Sequence, residues 1–259
     1  MQDGQVLRGL ADELWQAEQT GVPVEPLTKR HAGLDIEDAY AIQSLNIDRH
    51  VAQGSRVCGR KVGLTSRPMQ EMLGVDEPDY GVLLDHMFAE DGDEIAMDRL
   101  LQPRIEAELA FVMDQDLAGP GVTAARALTA IAGALPAVEI VDSRVANWQI
   151  KLVDTVADNA SSGMLVVGGN LRKVTDIDLR LVGVAVTRRG QLADTGAGAA
   201  VLGNPVRCVA WLANKLASFG ASLRAGDVVL PGAVHRMITV AGAVTSRPRR
   251  RAISGSARG

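Results

Sequence analysis

Residues 102–113 read Q-P-R-I-E-A-E-L-A-F-V-M, and the fold of this stretch decides what kind of protein the chain is. From Ile105 onward it is apolar except for Glu106 and Glu108. On a helix, positions two apart point about 200° apart, to nearly opposite sides. On a strand they share one face. The strand reading puts Ile105, Ala107, Leu109, Phe111 and Met113 on one face and Glu106, Glu108, Ala110 and Val112 on the other. Both faces look covered, so two carboxylates sit side by side away from water. Burial and like charge both raise a carboxyl pKa, and an uncompensated buried ion costs several kcal/mol. Something else in the chain must compensate.

Glu139 is a third acid of the same kind, set in the apolar run A-V-E-I-V. Three carboxylates in strands, with no Cys or His beside them, fit a hard divalent cation that prefers oxygen ligands. The competing account is structural ion pairing with Arg104, Arg144 or Lys61. One buried glutamate alone favours the ion pair; an E-x-E pair with a distant third glutamate favours the metal. The four histidines (His31, His50, His86, His235) show no zinc spacing.

Around this stretch the chain reads as an α+β protein. Residues 3–20 are expected to be a helix, N-capped by Asp3, with Val6, Leu7, Leu10, Leu14 and Trp15 as its apolar stripe and Gly21 ending it. Asp35 caps a second helix, with Asp38 at its third position. From about residue 57 the texture changes to short Val-rich runs separated by Gly, Pro, Asp and Asn: RVCGRKVGL, RIEAELAFVM, PAVEIVDS, GMLVVGG, LRLVGVAVTRRG, GDVVL and RMITV. Two helices interrupt them, one from Thr123 to about Leu135, the other from Asn204-Pro205 to near Gly220. This divides the chain into a helical portion (1–55), a β-rich body (56–245) and a basic, disordered tail (246–259). It is not the regular β-α-β alternation of a doubly wound fold.

The bulk numbers exclude several classes. The net charge of −4 and 3% aromatic content give no groove for nucleic acid. Cys58 and Cys208 lie far apart with no C-x-x-C pair, so no disulfide framework or zinc ribbon is expected. No apolar run approaches the ~20 residues that span a bilayer, and no secretory leader is read at the start, so the expected location is cytoplasmic.

Three further places carry candidate chemistry. Lys61 lies in C-G-R-K-V-G-L-T, between glycines that permit close backbone approach. It reads as a substrate-carboxylate ligand or proton carrier, or as an ordinary snorkelling edge lysine. Asp79 lies in D-E-P-D-Y-G, a turn by composition, where an aspartate commonly bonds its own backbone. Asp158, Asn159 and Ser161, in D-T-V-A-D-N-A-S-S-G, either line a pocket or form a capped loop.

G-R-K-V-G-L-T-S, L-G-V-D-E-P-D-Y-G, L-Q-P-R-I-E-A-E-L-A, L-P-A-V-E-I-V-D-S-R, D-T-V-A-D-N-A-S-S-G and V-A-W-L-A-N-K-L-A occur in this order over roughly residues 5–240. Together they resemble the 2-hydroxypenta-2,4-dienoate (2-keto-4-pentenoate) hydratases of the fumarylacetoacetate hydrolase superfamily. The resemblance implies a body of mixed, rolled β-sheet and a homo-oligomer, pentamer or decamer. It implies Mg²⁺ or Mn²⁺ on Glu106, Glu108 and Glu139, catalytic roles for Lys61 and Asp79, and substrate binding by Lys61 and Ser161. The expected reaction adds water to a 2-hydroxy-2,4-dienoate, giving a 4-hydroxy-2-oxo acid in meta-cleavage catabolism of aromatic compounds or steroids. The alternatives are a 4-oxalocrotonate-type decarboxylase, or a non-catalytic scaffold subunit in complex with a pathway decarboxylase or aldolase. The chain departs from the family at V-V-L-P-G-A-V, where Pro231 replaces a Ser or Thr, and at its end, A-G-A-V-T-S-R-P-R-R-R.

Overall fold

A computed structural model of the chain describes residues 2–240 and 252–254. Helices α1 (Gly4–Thr20), α2 (Leu27–Arg30) and α3 (Ile36–Ala52) precede the first strand. Asp3 caps α1 by accepting from Gln5 N, and Gly21 ends it in the left-handed conformation at φ 70°. Asp35 and Asp38 form a reciprocal capping box on α3.

The body follows as β1 (Val57–Gly63), α4 (Arg67–Leu73), β2 (Asp79–Leu84), β3 (Phe88–Glu90), β4 (Glu94–Ala96), β5 (Arg104–Met113), α5 (Ala124–Thr129) and β6 (Ile131–Val141). It continues with α6 (Leu152–Ala157), β7 (Ser162–Val167), β8 (Gly183–Arg188), β9 (Gln191–Ala197), α7 (Val206–Ala217), β10 (Val228–Leu230), β11 (Ile238–Thr239) and β12 (Ala252–Ser254).

One mixed sheet dominates, in the order β2-β1-β10-β5-β6-β7-β3, with β11 also paired to β5. The β1/β10 and β7/β3 pairs are parallel and the others antiparallel. The path does not close into a barrel. Asn159 treats the free edge of β2 as a strand would: its side-chain amide accepts from Val82 N (2.7 Å) and donates to Val82 O (2.9 Å).

The residue pattern of β5 explains why it is central. Leu109, Phe111 and Met113 enter a core cluster that also holds Leu7, Leu10, Leu14 and Ile42 from the helices and Cys208, Val209 and Leu212 from α7. Ala110, on the opposite face, packs with Ala137, Leu165 and Leu230. The alternation expected from 102–113 is thus present, with both faces covered.

Two expectations are corrected. The helix from Thr123 stops at Thr129, and Ile131–Leu135 joins β6 instead, because this run pairs in register with Ala110–Met113. Ladder pairing beats the local helix preference of an Ala-rich stretch. Asp79 is not in a turn; the bend covers Asp76 and Glu77, and Asp79 opens β2 opposite Gly63. The basic tail falls mostly outside the described residues; 252–254 pair with β4.

Candidate active site

The acids meet because of register. Glu106 lies directly across from Glu139, and Glu108 across from Ala137. With Glu106 and Glu108 sharing a face, ligand atoms of Glu106, Glu108 and Glu139 all lie within 4.8 Å of one another. Glu108 and Glu139 are buried, at 3% and 1% exposure, while Glu106 is half-buried and marks the open end.

Two neighbouring strands complete the cluster. Lys61 on β1 faces Gly81 on β2 and stands beside Leu230 on β10. Its Nζ reaches 3.4 Å from Glu139 Oε1, both side chains being almost fully out of water. Asp79, two residues from Gly81, is on the same face and 3% exposed. The glycines noted on either side of Lys61 make this closeness possible. A Cβ at Gly63 would stand 2.2 Å from Asp79 Oδ1, and one at Gly59 1.9 Å from Val228 O on β10.

The electrostatics follow from burial. Desolvation, with the Glu139 charge next, pushes the Glu106 carboxyl up to about 7. Desolvation and its acidic neighbours hold Glu108 well above the carboxylate range, and desolvation raises Glu139 and Asp79 as well. Burial alone would lower the Lys61 ammonium, but Glu139, Asp79, Glu106 and Glu108 together raise it, so it stays charged. One cation faces four acids. This is a site short of positive charge.

Its donor set fits a divalent cation. Glu139 Oε1 and Asp79 Oδ1 are buried with no hydrogen-bond partner among the described residues, although Glu139 lies within ion-pair range of Lys61. Orphaned carboxylate oxygens in a dry place need a cation or protons. Three clustered oxygen donors suit Mg²⁺ or Mn²⁺.

The segment between β10 and β11 is a contribution that sequence reading missed. The β10/β5 ladder ends at Val229, opposite Phe111, and Pro231, two residues on, has no N–H with which to resume it. The chain then bulges along the edge of β5 until pairing resumes at Ile238 and Ile105. Within the bulge, Gly232 N donates to Glu108 Oε2 at 2.9 Å. Gly232 holds φ 120°, and a Cβ there would strike Thr65 Oγ1 at 2.1 Å. His235 Nε2 accepts from Ala107 N at 2.8 Å, and its Nδ1–H donates to Arg236 O at 2.6 Å. Ala107 lies between two of the acids, so the imidazole holds the backbone that aims both. A lone histidine in P-G-A-V-H gives no pattern from which this follows.

The D-T-V-A-D-N-A-S-S-G residues play separate parts. Asp158 is buried against Arg144, which donates to it from its backbone N (3.0 Å) and its Nε. Asn159 serves β2. The Ser161 hydroxyl is buried 3.2 Å from Thr155 Oγ1, and no hydrogen bond links it to the acids among the described residues. Asp158 and Asn159 also line a polar cleft of about 520 Å³ with Glu18, His50, His86 and Arg144; none of the clustered acids lines it.

Fold and site together show a mixed sheet that gathers three acids, Glu106, Glu108 and Glu139, in an arrangement that could hold a divalent cation. The family model for the fumarylacetoacetate (FAA) hydrolase C-terminal domain matches residues 43–255, and the chain belongs to that family. Within it, the chain is 47% identical over 236 residues to a TodF product hydratase of Pseudomonas putida F1, covering 91% of this chain and 88% of that one. It is 48% identical over 230 residues to a 2-keto-4-pentenoate hydratase of Paraburkholderia xenovorans LB400, covering 89% and 86%. Among solved structures, 4-oxalocrotonate decarboxylase from Pseudomonas putida G7, complexed with magnesium and adipate, superposes with a TM-score of 0.88 at 36% identity, over 93% of this chain and 91% of that one.

Proposed function

We propose that this chain is a metal-dependent hydratase that adds water to a 2-hydroxy-2,4-dienoate to give a 4-hydroxy-2-oxo acid. The observation that carries the reading is the trio of Glu106, Glu108 and Glu139, with ligand atoms within 4.8 Å and partly orphaned oxygens. Hydratases among its relatives at 47–48% identity favour hydration over decarboxylation. In this reading the trio holds Mg²⁺ or Mn²⁺. The cation, when bound, supplies Lewis-acid stabilisation to the C2 oxygen as it takes on enolate charge.

The chain's own groups do the proton work. The C2 hydroxyl must lose a proton and C5 must gain one, giving a 2-oxo-3-enoate. Water then adds at C4, and C3 gains a proton. Asp79, its carboxyl pushed above the ordinary aspartate range chiefly by burial, holds and releases a proton. Lys61, kept charged by its acidic neighbours, binds the anionic substrate and shares the proton relay with Asp79. The apolar wall of Ala110, Ala137, Leu165 and Leu230 beyond the acids excludes bulk water. Ser161 is assigned to substrate binding by family likeness. By family likeness the enzyme is taken to be a cytoplasmic homo-oligomer; no helix among the described residues is long and apolar enough to cross a membrane.

The test follows the ultraviolet absorbance of 2-hydroxypenta-2,4-dienoate with and without EDTA, beside CO₂ release from 4-oxalocrotonate. Metal-dependent loss of dienoate absorbance without CO₂ release is expected. CO₂ release as the faster reaction favours the decarboxylase, and EDTA-insensitive hydration rejects the metal.

A further inference from the structure

Arg104 stands two residues before Glu106 on β5, on the face that carries Glu106 and Glu108. Along that face burial falls from Glu108 to half-buried Glu106 and half-buried Arg104, so the guanidinium lies at the open end of the acid cluster. It feels the Glu106 charge, yet makes no ion pair or hydrogen bond among the described residues. Its partner is an indole: the Arg104 Cζ lies 4.3 Å from the centroid of the Trp148 ring.

That ring is a fixed platform. Trp148 Nε1 donates to Gln102 O at 2.9 Å, and Asn147 N donates to Gln102 Oε1 at 2.6 Å. Gln102 Nε2 donates in turn to Ser143 O and Val145 O, both at 2.9 Å. Asn147 and Trp148 adopt φ of 59° and 56°, a left-handed pair that non-glycine residues adopt at a cost. The strained turn aims the indole at a residue only two positions beyond the one it is tied to. Stacking covers one face of the guanidinium and leaves its N–H edge free for an anion.

We propose that Arg104, held on Trp148, takes the carboxylate of the 2-hydroxydienoate at this site. The inference rests on the hydratase reading and deepens it. Lys61 is then the inner cation, tied to Glu139, and Arg104 the outer one, unpaired until substrate arrives. Trp148 is a positioning residue.

The full chain, loaded with Mn²⁺, is titrated calorimetrically with 2-oxopentanoate, a monoacid that cannot be hydrated, and Mn²⁺ binding is measured separately. Arg104→Gln is expected to weaken 2-oxopentanoate about 10- to 100-fold, as losing a charge-assisted hydrogen bond does. Mn²⁺ affinity should change less than about threefold, on the small scale of exposed charge effects. Arg104→Lys should restore part of the loss, and Trp148→Leu should raise KM several-fold with kcat held. Wild-type affinity in a folded Arg104→Gln overturns the proposal. So does a loss confined to the diacid 2-oxoadipate, which would mean that Arg104 reads a distal carboxylate. Should Arg104→Gln fail to fold, Arg104→Lys with wild-type affinity and Trp148→Leu with unchanged KM together overturn it. A wild type that binds no Mn²⁺ rejects the hydratase reading, and the inference with it, and is told apart by the metal titration alone.

Discussion

Lys61 Nζ and Glu139 Oε1 lie 3.4 Å apart, joining β1 to β6 across the sheet, with 6% and 2% of their side chains exposed. The pair is buried, and three more acids act on the same ammonium. Removing one partner of such a pair leaves an uncompensated charge, typically at a cost of about 3–5 kcal/mol. Lys61→Met should therefore lower the Tm of the metal-free protein, and Mg²⁺ should recover part of the loss by neutralising the acids. Hydration should fall about 10²–10⁴-fold even with metal bound, if Lys61 carries a proton or substrate. Differential scanning fluorimetry and the dienoate assay read the two effects separately.

Glu108→Gln has the opposite sign on stability. Glu108 is held well above the ordinary carboxylate range by desolvation and its acidic neighbours. A neutral amide of the same shape relieves that repulsion, so the metal-free variant should melt no lower than wild type. Mn²⁺ affinity, read by calorimetry, should fall at least about tenfold. A variant that binds Mn²⁺ as tightly as wild type would remove Glu108 from the ligand set.

Metal and pH are linked through Glu106. Its pKa in the metal-free protein is about 7, above the ordinary 4.5. A raised folded-state pKa contributes stability that is complete below the ordinary value and lost as pH rises through the folded one. Without metal, this group makes the protein lose stability between pH 4.5 and about 7. With saturating Mg²⁺ the acids are ionised and ligated, and the metal-induced rise in Tm should grow over that window. Thermal melts at several pH values, with Mg²⁺ or EDTA, check this.

His235 separates backbone support from chemistry. His235→Leu leaves Ala107 N without its buried acceptor, at a cost of about 1–3 kcal/mol. The acids on either side of Ala107 should lose their aim, so Mn²⁺ affinity should fall as well. His235→Gln, which offers an acceptor oxygen, should recover both in part. Chemical denaturation with parallel Mn²⁺ titration distinguishes the variants.

Gly63→Ala tests the close approach of β1 and β2. The added methyl would stand 2.2 Å from Asp79 Oδ1, so the Asp79 side chain must turn away. Dienoate hydration should drop by at least about tenfold, the scale of a displaced proton-transfer group, while Mn²⁺ binding is retained. Equal activity in Gly63→Ala would remove Asp79 from the proton path.

Much of this architecture is legible along the chain. The alternation in 104–113 places Glu106 and Glu108 on one strand face, because a side-chain period of two leaves no other choice when both neighbours are apolar. Asp3, Asp35 and Gly21 mark helix ends through short-range hydrogen bonding and backbone freedom, both local properties. The glycines around Lys61 announce close packing, and the three acids announce a need for a cation. What the sequence could not settle was which strands lie side by side. Glu139 meets Glu106 only through the β5/β6 register, Lys61 only through β1 lying beside β10 and β2, and His235 and Gly232 only because the chain leaves the β10/β5 ladder after Val229. Ile131–Leu135 becomes a strand for the same reason: long-range pairing outweighs a weak local preference. Residues close in sequence determine the faces and the caps; the assembled sheet decides which faces meet, since each long-range contact is fixed by the packing of the whole core.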